Sequence, residues 1–375
     1  MPPLRCGLAS FTGDLMAALD GAAPELDLLP VAMSSIPSQT AAFTIVPHDF
    51  ADYARVGTAL NRSEASLICV QHEYGIFGGP DGNFLLELLD QANAPVVVTI
   101  HTALDQPSPN QRRVMDAIID RAARVVTMTA DSAAIMRAEH GVGAGKLCVI
   151  PHGTHLAQPN ARALGRTILA AGERPVMLTF GLLSPGKGIE HAIRALPAIV
   201  ANCPDVLYVV LGVTHPNLLR DEGERYRTSL QTLAADLGMQ DNVQFLNRFV
   251  ELPELLSALA ATDVYVTPYV NEAQSVSGTL AYSYALGTPV VSTPYRHAAE
   301  LLANGRGVLV PFADPNALAV AITGLLTDRT RLDAIRSAAL EAGRETAWPC
   351  IGTRYLDLFR DVVSTVPAKA ALAVA

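Results

Sequence analysis

Lys187 stands in the turn Gly181-Leu-Leu-Ser-Pro-Gly-Lys-Gly188, directly before the helical pattern Ile189-Glu-His-Ala-Ile-Arg-Ala-Leu196. A helix start has unpaired N–H groups and partial positive charge, and a lysine there adds a full charge, so the combination attracts phosphate. The GxxxxGK[ST] spacing of a P-loop is absent. The turn reads equally as an ordinary strand-to-helix loop with a solvated lysine. A second segment, Tyr269 to Ser292, carries Asn271, Glu272 and Gln274 ahead of Ser277-Gly278-Thr279. Ser277 is a good N-cap, and Gly278 has no side chain to block a ligand. The amides of Gly278 and Thr279 would then form a second anion seat. The same residues also read as a capped helix that buries Leu280 and Tyr284.

Three polar clusters occupy the first half: Arg5 to Thr12 before a helix, Gln71-His72-Glu73 in a glycine-rich loop, and His101-Thr102. A lone histidine is more often structural than catalytic, but three such clusters at strand ends leave both readings open. His72 and Glu73 have no third partner at ligand spacing, so no metal is assigned.

The elements that must position these residues are legible as alternation. Apolar runs at 67–71, 95–99, 124–128 and 146–150 read as buried parallel strands, with helices at about 82–93, 109–122 and 131–140. The rhythm breaks over 151–175. Strands at 175–181, 206–212, 243–246, 263–267, 289–292 and 307–310 follow, with helices at about 188–200, 222–238, 253–261, 278–286, 296–303, 315–327 and 329–343. Strands separated by such helices imply right-handed βαβ units and parallel sheets covered on both faces. Two blocks joined by an irregular segment read as two doubly wound α/β domains. Ligands of such sheets sit at the carboxyl ends of the strands, so a site in a cleft between the blocks is expected. A last amphipathic helix spans 346–365.

The 375 residues fit two domains. Half are apolar and 17% charged, enough to bury a large core. A formal charge of −9 disfavours nucleic acid or an anionic membrane as the main partner. No apolar run suits a membrane span, and residues 1–20 lack a secretory pattern. The five cysteines form no CxxC pair, so a reducing cytoplasm is the expected setting.

The two-block layout, the GLLSPGKG turn, the acid/amide loop before SGTLAYSYALGTPVVS, the VIPHGTH segment at 149–155 and the closing helix resemble retaining glycosyltransferases of the GT-B fold, family 4. The resemblance covers nearly the whole chain and is strongest from Pro175 to Val310. It implies two Rossmann-like domains facing a central cleft, with the C-terminal helix packing back. Residues 1–160 would form the acceptor-side domain, 161–345 the donor-binding domain, 346–366 the closing helix and 367–375 a frayed tail. It implies sugar transfer from a nucleotide-diphosphate donor to a saccharide, lipid or small-molecule acceptor, with no cofactor and no metal, and leaves weak peripheral membrane contact open.

By position, Lys187 would neutralise the donor phosphates, with Gly181, Ser277, Gly278 and Thr279 beside them. His101 matches the histidine near the transferred sugar, and Gly7 the glycine-rich first loop. Gln71, His72 and Glu73 would lie on the acceptor side. The family's two glutamates, eight positions apart, fall on Gln274 and Tyr282, with Glu272 two residues before the first. The second normally holds the donor ribose, which a tyrosine cannot grip as a carboxylate does. The arginine that usually precedes the lysine is Leu182 or Leu183, and Met1 falls where the family has already completed its first strand. These departures leave two alternatives: a glycoside phosphorylase using inorganic phosphate, and a non-catalytic carbohydrate-binding member.

Overall fold

The computed structural model describes residues 7–36 and 40–365. Arg5, Cys6 and the tail expected over 367–375 lie outside the described residues. The chain forms two compact units, Met1–Gly153 with Trp348–Ala375, and Thr154–Ala347. The division falls at 153/154 rather than 160/161, and the last helix belongs to the first unit.

The first unit runs α1 (Gly7–Ala22), β1 (Val31–Met33), β2 (Phe43–Ile45), α2 (Phe50–Arg62), β3 (Ile68–His72), α3 (Leu85–Gln91), β4 (Val96–Ile100), α4 (Pro109–Arg121), β5 (Ala122–Thr127), α5 (Ala130–His140) and β6 (Leu147–Val149). Strands β3-β4-β5-β6 form one parallel sheet in that order, and β1 pairs in parallel with β2. Ser108 and Gln111 cap α4 reciprocally with Pro109 in its first turn, a local signal that explains why this helix starts where the sequence indicates.

The second unit runs α6 (Ala161–Ile168), β7 (Val176–Phe180), α7 (Ile189–Val200), β8 (Leu207–Leu211), α8 (Pro216–Glu222), α9 (Arg225–Asp236), β9 (Val243–Leu246), α10 (Leu252–Ala261), β10 (Val264–Thr267), α11 (Gly278–Ala285), β11 (Val290–Ser292), α12 (Arg296–Leu301), β12 (Val308–Leu309), α13 (Pro315–Thr327) and α14 (Arg329–Gly343). Its parallel sheet has the order β12-β11-β10-β7-β8-β9. Every residue of β7 and β8 is buried, because helices cover both faces of the sheet. The chain winds outward from β7 to β9, then returns to the other side of β7 as β10. The β7/β10 boundary is therefore the topological switch point, where doubly wound sheets hold ligands.

Two helical expectations are corrected. The segment over 151–175 contains α6, packed on α10, with the Gly165 backbone so close that a Cβ would stand 1.8 Å from the Ser257 carbonyl. The helix expected over 222–238 is α9, and an unexpected short helix, α8, precedes it; Gly223, at φ 65°, ψ −145°, separates the two in a conformation reserved for glycine. The closing α15 (Trp348–Thr365) lies against α1.

Candidate functional site

At the switch point the loops after β7, β8 and β10 touch through their backbones. Leu183 N–H donates to Val213 O at 2.9 Å, and His215 N–H donates to Leu183 O at 2.9 Å. A Cβ on Gly212 would stand 2.0 Å from Gly181 O. Gly188, with φ 61°, precedes α7 so close to β10 that a Cβ would lie 2.0 Å from Pro268 O. Val270 N–H donates to Gly186 O at 3.2 Å. These contacts explain why the turn needs its glycines, and they carry Lys187 over the end of β10.

Lys187 Nζ donates to Tyr269 Oη at 2.7 Å and lies 4.0 Å from that ring's centroid. Tyr269 Oη and Thr279 Oγ1 are 2.9 Å apart, and Thr279 Oγ1 and Ser277 Oγ 3.1 Å. Ser277 caps α11 by accepting from Leu280 N–H at 3.4 Å, while its own N–H donates to His297 Nδ1 at 2.8 Å. Tyr269 is fully buried and stacks on Tyr295 at 5.0 Å. Burial raises the Tyr269 phenol, but the Lys187 ammonium and the neighbouring hydroxyls outweigh it and hold it below its ordinary value. The first turn of α11 holds no acidic side chain, so nothing there opposes an anion.

Of the residues expected on the donor side, Lys187, Ser277 and Thr279 form one connected cluster, with Gly278 opening α11. Gly181 adjoins it, since a Cβ there would lie 3.5 Å from Thr279 Cγ2. Gln274 joins through its carbonyl, which accepts from His297 N–H at 3.3 Å, while its side-chain amide donates to Val276 O at 3.2 Å. Glu272 has an exposed side chain, and its carbonyl accepts from Arg296 N–H at 3.0 Å. Tyr282 stacks on His155 at 6.1 Å with an interplanar angle of 17°.

In the first unit, Gln71 Oε1 lies 2.8 Å from His101 Nε2, and Glu73 Oε2 accepts from Thr102 Oγ1 at 2.6 Å. The ends of β3 and β4 therefore gather Gln71, Glu73, His101 and Thr102. Burial, helped by His152 and His72, lowers the His101 imidazole to about 3, so it is neutral near pH 7.

Two expectations here are corrected. His72 is fully buried with neither ring nitrogen hydrogen-bonded. As the last residue of β3 its ring turns inward, stacked on Phe77 and edge-on to Tyr74, and it cannot contact an acceptor as it stands. Gly7 opens helix α1 rather than forming a glycine-rich loop, and Ala9 and Phe11 of the same stretch are buried. The sequence reading missed Tyr269 and His297. Tyr269 had one available signal, its place just beyond the carboxyl end of a strand. His297 had none, because it arrives from α12 through the fold. No group of three metal-ligating side chains occurs among the described residues.

The family described as glycosyl transferases group 1 matches residues 174–328, and the glycosyl transferase 4-like domain matches residues 14–153. The two matches together span well over half of the chain. The chain belongs to the group 1, family 4 glycosyltransferases. A relative from Mycolicibacterium smegmatis, a GDP-mannose-dependent alpha-(1-6)-phosphatidylinositol monomannoside mannosyltransferase, is 30% identical over 53% of this chain and 51% of its own length. A D-inositol 3-phosphate glycosyltransferase from Pseudarthrobacter chlorophenolicus is 30% identical over 70% of this chain and 64% of its own. The chain thus spans about half to two thirds of these curated relatives.

Among solved structures, Anabaena Alr3699/HepE in complex with UDP superposes with a TM-score of 0.75 at 20% identity, covering 93% of this chain and 96% of that one. A glycosyltransferase from Rickettsia africae gives 0.77 at 14% identity, covering 98% of both chains. These likenesses show the GT-B fold of the family 4 glycosyltransferases. No helix among the described residues is long and apolar enough to cross a membrane.

Proposed function

We propose that this family 4 member transfers a glycosyl unit from a nucleoside-diphosphate sugar to a hydroxyl acceptor, with retention at the anomeric carbon. The observation that carries the reading is the connected Lys187–Tyr269–Thr279–Ser277 cluster at the switch point of the second unit. When the bond between the anomeric carbon and the phosphate oxygen breaks, negative charge grows on the diphosphate. Lys187 and the first amides of α11 provide a preorganised positive field for it, with no dedicated base and no divalent cation in this reading. The departing phosphate oxygen takes the acceptor proton on the face it leaves, which gives retention. Holding both partners in place supplies the rest of the acceleration. The relatives named for GDP-mannose and D-inositol 3-phosphate, and the neighbour solved with UDP, favour a nucleotide donor and a polyol acceptor. Gln71, Glu73 and His101 are assigned to the acceptor side and the transferred sugar.

Calorimetric titration of UDP, GDP and inorganic phosphate tests the reading. Nucleotide binding is expected, and Lys187→Met should lower kcat at least about a hundredfold with little change in Tm. Unchanged turnover in that variant would leave Lys187 with only its structural contact to Tyr269. One observation favours the phosphorylase alternative: Tyr282 stacks on His155 where the family carries its ribose carboxylate. Tight phosphate binding without nucleotide binding would select it, and binding of none of the three would leave a carbohydrate-binding module.

A further inference from the structure

The cluster under Lys187 contains one hydrogen bond whose direction the chemistry fixes. An ammonium has three donors and no lone pair, so at 2.7 Å the Tyr269 oxygen must accept from Lys187. Tyr269 Oη and Thr279 Oγ1 lie 2.9 Å apart, and either hydroxyl can donate. Thr279 and Ser277 own one hydroxyl proton each, and their mutual contact at 3.1 Å uses one of the two. The pair sits at the start of α11, where Ser277 Oγ takes Leu280 N–H and the N–H groups of Gly278 and Thr279 lie outside the helix ladder.

We propose that Tyr269 is a positioning residue: its phenol anchors the Lys187 ammonium and orients the Thr279–Ser277 pair, so that the ammonium, the hydroxyls and the α11 amides face one anion. The inference rests on the proposed function, in which that anion is the diphosphate of the donor. Tyr269 itself is fully buried and held by Tyr295, so it acts through its neighbours and does not touch the ligand. No proton changes owner in this arrangement; the lysine's charge polarises a fixed row of hydroxyls, and each bond strengthens the next.

Tyr269→Phe removes one oxygen and keeps the ring. It is expected to weaken UDP and pyrophosphate binding about tenfold, the scale of one hydrogen bond to a charged group. Because part of its effect runs through Lys187, the double variant with Lys187→Met should lose clearly less than the sum of the two single losses. A purely structural role predicts additive losses instead. Thr279→Val, which keeps the Lys187–Tyr269 contact, should reproduce the loss if Tyr269→Phe fails to fold. The Lys187 ammonium signal in proton–nitrogen NMR reads the anchor without any ligand, and Tyr269→Phe should abolish its slow exchange. An unchanged ammonium signal, additive losses, or affinity within twofold of the parent would each overturn the proposal. If the parent protein binds neither UDP nor pyrophosphate, the functional reading falls, while the ammonium signal still decides the anchoring role.

Discussion

His72 shows how a residue that looks chemical can be structural. It ends β3 beside Gln71 and Glu73, yet its ring is sealed between Phe77 and Tyr74 with both nitrogens unpaired. Desolvation lowers it to about 4. An unfolded histidine takes up a proton near pH 6.5, whereas native His72 refuses it until about pH 4. The unfolded chain thus binds more protons throughout that window, and stability falls as pH falls. The loss from this group approaches about 3 kcal/mol at the acid end. His72→Phe should flatten the dependence of the urea midpoint between about pH 7 and about pH 4. An equally steep dependence in the variant would place the acid sensitivity elsewhere, with His101 the next group to examine. Lys187 and Ser277 were legible because their roles are local, a cation and a cap beside helix starts. Tyr269 was not, because its partners come from loops after two different strands.

At the scale of elements, the glycines of the β7–α7 turn matter more than its polar residues. Gly188 needs a left-handed conformation and leaves no room for a Cβ against Pro268 O, whereas a Cβ on Gly186 would meet only Ser184 Oγ at 3.9 Å. Gly188→Ala should cost about 2 kcal/mol or more, since backbone strain and separation of the two loops add. Gly186→Ala should stay within about 0.5 kcal/mol of the parent. Thermal unfolding of both checks the contrast, and equal losses would mean that the loop contact is soft. Strands β4, β7, β8, β10 and β11, buried throughout, were readable within one or two residues because burial on both faces demands unbroken apolar runs. Strands β1 and β2 are three residues long and half-exposed, so no run marks them.

At the scale of the molecule, α15 completes the first unit although it follows the second in sequence. Gly352 lets it approach α1 so closely that a Cβ would lie 2.7 Å from Ala18 O. Tyr355 Oη is 3.0 Å from Thr99 Oγ1 of β4, Arg124 of β5 pairs with Asp361 at 2.8 Å, and Trp348 meets Phe11 edge-on at 5.1 Å. Ending the chain after Ala347 would uncover Phe11, Leu15 and Leu19 of α1. The expected cost to the first unit is on the order of 5 kcal/mol, by analogy with the loss of several buried side chains. Calorimetry should show one transition moved to lower temperature and a second, from the unit Thr154–Ala347, left in place. Equal displacement of both, or of neither, would contradict the assignment of α15.

Sequence alone determined the α/β class, the alternation of strands and helices, and the resemblance to a family with a phosphate-seeking lysine, because apolar periodicity and helix caps are written in neighbouring residues. Tertiary structure decided which loops meet. The return of the chain from β9 to the flank of β7 brings Tyr269 under Lys187 and His297 against Ser277, and the crossing of α15 over α1 closes the first unit. Such pairings depend on strand order and backbone separation, and no window of adjacent residues encodes either.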